Sequence, residues 1–154
     1  MFNHRAAQPL RAHADRSRTG RGLGSRRLTP QALEQRTYDL ALTEIVNALA
    51  LQPSDPRANS YLGDIHRWLG GSLAEAGRDP MPDYQAALGS YATSLAIDPR
   101  NHTACRCQVE LHATIADHLA SLGQDPEPAA ASARRIGEHC AALDPSYFLL
   151  FDNL

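Results

Sequence analysis

A chain of 154 residues can bury one ordinary core and excludes a kinase-sized catalytic domain with anything appended. Its aromatic content of 6% within an apolar fraction of 43% disfavours a β-sandwich and favours helices packed through small residues. The formal charge of −2 conceals a split, because Met1 to Pro30 carries seven Arg against Asp15 alone, while Gln31 to Leu154 carries eight Arg against sixteen acids. All fifteen basic residues are Arg, a pattern that points to coding bias rather than to a phosphate-binding surface.

Residues 1–30 scatter Arg, Gly and Ser without apolar periodicity and are expected to form a basic disordered head or linker. A targeting segment and a nucleic-acid arm are the competing readings, and no aromatic residue is interleaved with the arginines.

Beyond the head, a shift of 46 residues superposes Tyr38-Asp39-Leu40-Ala41 on Tyr84-Gln85-Ala86-Ala87, and Ala48 to Pro53 on Ser94 to Pro99. A third copy runs from Ala133 to Cys140-Ala141-Ala142-Leu143-Asp144-Pro145. In the same register, Gly77-Arg78-Asp79-Pro80-Met81-Pro82 recurs as Gly123-Gln124-Asp125-Pro126-Glu127-Pro128. Each turn combines a left-handed Gly stop, an Asp that accepts from free N–H groups and a Pro suited to a first helical turn. Pro53, Pro99 and Pro145 close each unit, and Asp55-Pro56 and Asn101 open the next.

These stops predict five helices, at about residues 31–51, 56–76, 80–97, 102–122 and 127–143. Ala58, Tyr61, Leu62, Ile65, Leu69, Leu73 and Ala76 form one helical stripe, copied by Ala104, Cys107, Leu111, Ile115, Leu119 and Leu122. The alternate helices carry Tyr38, Ala41, Ile45, Ala48 and Leu49, then Tyr84, Ala87, Tyr91, Ser94 and Leu95, with small residues seven apart where helices would approach closely.

At this point the chain resembles the tetratricopeptide (TPR) repeat family. The signature of its second helix is matched by Ala41, Ile45, Ala48, Pro53 and by Ala87, Tyr91, Ser94, Pro99, while Ala133, Gly137, Cys140, Pro145 lacks the large residue. Leu62-Gly63 matches the paired Leu-Gly of the first helix, and Gln108-Val109 departs from it. The resemblance implies an all-α, TPR-like α-solenoid of antiparallel helix pairs, with units at 31–53, 54–99 and 100–145 and a truncated fourth at 146–154. Its unit exceeds the usual length of about 34 residues, and extended units with this turn look like the C-terminal solenoid of bacterial serine/threonine protein kinases. His13-Ala14-Asp15 lacks the Asn of a catalytic loop, so no kinase activity is expected.

The resemblance further implies a bacterial, non-catalytic protein–protein interaction module, with nucleic-acid or membrane association through the head as the alternative; a cytoplasmic setting is expected separately, from the odd cysteine set and the lack of a secretory signal or long apolar run. The groove of such proteins matches Arg57, Ser60, Asp64, Arg67 and Trp68 in one unit and Thr103, Arg106, Glu110 and Ala113 in the next. The apolar run Tyr147-Phe148-Leu149-Leu150-Phe151 is expected to fold back or to drive self-association through 147–154.

His102, Cys105, Cys107, His112 and His118 invite a metal hypothesis, but the short Cys and His spacings of metal sites are absent, and no metal or cofactor is expected. His66 and His112 hold equivalent positions beside the apolar stripe and are read as packed imidazoles. The odd set of three cysteines, without a disulfide framework, points to a reducing compartment.

Overall fold

The computed structural model describes residues 29–143, so the basic head and the 147–154 segment lie outside the described residues. Those described form α1 (Pro30–Leu51), α2 (Pro56–Glu75), α3 (Met81–Ile97), α4 (His102–Ser121) and α5 (Glu127–Leu143), with no strand among them. Each bound falls within one residue of the sequence expectation.

Local chemistry sets these bounds. Side-chain oxygens of Thr29, Asp55 and Asn101 accept from the first-turn N–H groups of α1, α2 and α4. Gly77 (φ 68°) and Gly123 (φ 71°) take the left-handed conformation that ends α2 and α4. The N–H of Arg78 reaches back to the Leu73 carbonyl at 2.8 Å, and that of Gln124 to the Leu119 carbonyl at 2.9 Å. Asp79 and Asp125 then each accept, at 2.9 Å, from the first N–H of the following helix, on Met81 and Glu127.

Helices adjacent in sequence pack together, and α2 also meets α4. Helices α2 and α3 are antiparallel: Tyr84 lies against Gly70, Tyr91 against Gly63, and Ser94 against Ser60. A Cβ at Gly63 would sit 2.5 Å from the Tyr91 ring, and one at Gly70 would sit 2.5 Å from the Tyr84 ring. The absent side chains are therefore what lets two large rings lie against the α2 backbone. Tyr84, Ala87 and Tyr91 then meet Ala104, Cys107, Leu111, Ile115 and Ala116 of α4 and Ala129 of α5 in one core.

At the other end of the α2–α3 pair, Ser94 donates to the Pro56 carbonyl at 2.7 Å, and its Oγ lies 2.9 Å from that of Ser60. The Asn101 amide donates to both hydroxyls, at 2.9 and 3.1 Å, while its Oδ1 caps α4. One side chain thus satisfies buried groups from three helices.

Three expectations are corrected. Tyr61 is 59% exposed although its counterpart Cys107 is buried, because Cys107 packs with Tyr84, Ala87 and Tyr91 of α3, whereas Tyr61 borders the open cleft between the starts of α2 and α4. Ala48 is exposed as well, and α1, which packs chiefly on α2, leaves Leu33, Leu40, Val46 and Leu51 in solvent. Finally, the cysteines do include a bridge: Cys105 and Cys140 form a disulfide between α4 and α5, with buried Cys107 as the free thiol.

Two substitutions of one kind should diverge. Gly63→Ala gains up to about 1 kcal/mol of helix propensity and loses about 1 to 3 kcal/mol to overpacking against Tyr91, for a net loss. Gly71→Ala, with open space around its Cβ, should stabilise by up to about 1 kcal/mol in urea titration. Asn101→Ala removes the cap and leaves two buried hydroxyls short of a donor, so the same titration should register a loss of about 1 to 2 kcal/mol.

Candidate functional site

Of the nine groove residues expected from the sequence, all but Ala113, exposed on α4, divide into an ionic cluster, a cleft and an aromatic ledge on α2, α4 and their flanks. At the centre, Arg67 of α2 donates to Glu110 Oε2 at 3.0 Å and Arg106 of α4 donates to Glu110 Oε1 at 2.8 Å. One carboxylate therefore joins two cations across the helices. The Nε of Arg67 is buried and has no hydrogen-bond partner, an unsatisfied donor beside this pair. Asp64 completes the cluster by accepting from the Tyr91 hydroxyl at 2.7 Å.

That last bond ties the cluster to the core. The Tyr91 phenol is pushed well above its ordinary value, first by burial and then by its bond to Asp64, so it stays a donor at every physiological pH. Burial likewise raises the Cys107 thiol beneath the cluster, which favours the inert, protonated form. The bond from Arg106 to Glu110 holds that guanidinium charged.

The cleft opens where the N-terminal ends of α2 and α4 meet. It encloses about 440 Å³ and is lined by Arg57, Tyr61, Arg100 and Thr103 among others. Ser60 also borders it but is 4% exposed and committed to Ser94 and Asn101, so it supports the wall and offers no open hydroxyl.

The ledge is Trp68, 53% exposed, whose ring lies 6.1 Å from that of Tyr38 on α1 at an interplanar tilt of 38°. Tyr38 donates to Glu34 at 2.8 Å, a bond that raises its own phenol. Tyr38, Glu34 and Tyr91 were absent from the expected site. For Tyr38 and Tyr91 the signal existed in the register of the second-helix stripes, but it said nothing of which α2 residue each would meet.

The remaining candidates have structural partners. His66 Nδ1 lies 2.9 Å from Asp83 Oδ1, linking α2 to α3. His112 is half-buried, and its imidazole is pushed below the ordinary value, first by burial and then by Arg135. Among the described residues, no three His, Cys, Asp or Glu side chains are grouped so as to hold a metal ion, and no helix is long and apolar enough to cross a membrane. No family model, curated protein or solved structure matches the chain.

The depressed His112 has a signed consequence. Between its folded value and the ordinary value near 6.5, the unfolded chain binds a proton that the folded chain does not, so stability rises with pH there and falls as the pH drops below about 6.5. His112→Gln should lose less stability than the parent between about pH 7.5 and pH 5.5 in parallel denaturant titrations.

Proposed function

We propose that this protein is a non-catalytic binding module of tetratricopeptide type, an α-solenoid of 46-residue units whose α2–α4 face receives an extended segment of a protein partner. Support for the repeat comes from element bounds: α4 begins and ends 46 residues after α2, and α5 begins and ends 46 residues after α3. The turns repeat in detail, with the same left-handed Gly and the same Asp bond to the next helix. The kinship with kinase-linked solenoids and the bacterial setting rest on the resemblance of that turn, and the cytoplasmic setting is a reading of the sequence.

One observation carries the binding reading. Arg67 and Arg106 share a single carboxylate, and Arg106, whose side chain is 45% exposed, gives it one of its five donors, so the cluster retains hydrogen-bonding capacity for acceptors of a partner. Trp68 offers a large, half-exposed apolar surface on the same helix. Arg and Trp concentrate interface energy where they become desolvated, which makes these side chains the expected anchors.

The chain's single Trp makes the test direct. A partner recovered by pull-down should change Trp68 fluorescence on titration. Arg67→Ala and Trp68→Ala should each weaken its affinity by about tenfold or more, the loss typical of an anchor residue. Arg134→Ala, on the far helix, should leave affinity unchanged. Equal affinity for all four proteins would overturn the assignment of the face.

A further inference from the structure

Helix α5 is held differently from α3. Where α3 inserts Tyr84 and Tyr91 into the core, the buried residues of α5 are Ala129, Cys140 and Ala141, with Ala130 and Ile136 partly buried beside them. Alanine methyls remove little apolar area each, so apolar burial anchors α5 weakly.

The Cys105–Cys140 disulfide compensates. It joins the first turns of α4 to the last turn of α5, and its Cα atoms stand 6.4 Å apart, within the range of about 4.4 to 6.8 Å that bridged cysteines occupy. Cys107 sits two residues from Cys105 on another face of α4, buried among Tyr84, Tyr91 and Leu111, which leaves one possible pairing. Its raised thiol value disfavours reshuffling.

Both cysteines are buried, at 2% and 5% exposure, so a small thiol reaches the bridge as the last turn of α5 opens. A surface crevice of about 10 Å³, enough for roughly one water, is lined by both cysteines together with Asn101, His102 and Leu143. Arg100 stands at the same crevice and favours an anionic thiolate.

We infer that the Cys105–Cys140 bond is an exchange site for low-molecular-weight thiols, and that its redox state decides whether α5 stays docked on α4. A small thiolate attacks one bridge sulfur, the S–S bond breaks, and the other cysteine leaves as a thiolate that takes up a proton. A second thiol molecule attacks the mixed disulfide. In total the protein gains two electrons and two protons, and two small thiols become one small disulfide. Oxidation by that small disulfide runs the sequence backwards and clamps α5 again.

The test uses the full chain equilibrated with reduced or oxidised glutathione, with thiols counted by mass spectrometry and α5 followed by limited trypsin digestion. Trypsin reads Arg134 and Arg135, which are exposed on α5, against Arg67 on α2. Alkylated in denaturant, the oxidised chain should show one thiol, Cys107, and the reduced chain all three. Reduction should speed cleavage at Arg134 and Arg135 by roughly a hundredfold, the scale expected for releasing a cross-link over 35 residues, and leave cleavage at Arg67 unchanged. Cys140→Ser should cut fast at α5 in both buffers, and Cys107→Ser should behave as the parent. Three reactive thiols after oxidation, equal α5 cleavage in the two buffers, or acceleration at Arg67 as large as at Arg134 would each overturn the inference.

Discussion

The contact on which the rest depends is the Tyr91 ring lying on the α2 backbone at Gly63, with its hydroxyl bonded to Asp64. A side chain at Gly63 would push the ring outward, and with it the α3 face that packs on Cys107 and Leu111 of α4. Tyr84 repeats the device at Gly70, so two rings seven residues apart fix the separation and the register of α2 and α3. Because α4 packs on this pair, the distance that lets Arg67 and Arg106 share Glu110 is inherited from it.

The ends of the two helix pairs are closed by different chemistry at related positions. In the first pair, Ser60 and Ser94 meet as hydroxyls under Asn101. In the second, Cys140 stands 46 residues after Ser94 and meets Cys105, one position before the counterpart of Ser60. Hydrogen bonding at the first site needs no redox partner, whereas the covalent link at the second depends on its surroundings. The first pair, with its tyrosines, is a permanent element; the last helix relies on small residues and a bridge.

Much of the fold was legible because its signals are local. Proline, glycine and Asp or Asn fix helix ends through their own backbone and cap chemistry, and they repeat in register, so both ends of all five helices could be read to within a residue. Burial was less legible, since a stripe states which face is apolar and not whether anything covers it. Tyr61 and Ala48 belong to genuine stripes, yet Tyr61 borders the open cleft beside α4 and Ala48 lies on α1, which packs chiefly on α2. The expected groove residues lie on α2, α4 and their flanks, yet Ser60 turned inward and Tyr38 joined Trp68, outcomes set by contacts more than 25 residues apart in sequence. The bridge was missed for a similar reason: the period pairs Cys140 with Ser94, but the rotation that brings Cys105 to it is a property of the packed pair.

Amide hydrogen exchange resolved by helix tests the central claim, that the α2–α3 interlock organises the molecule and passes its geometry to α4. The account predicts slowest exchange around Gly63, Tyr91 and Leu111, with α1 opening well before them because its large apolar side chains stay in solvent. If α1 proved as protected as α3, or if α2 and α3 exchanged before α1, the interlock would not be the element that holds the fold.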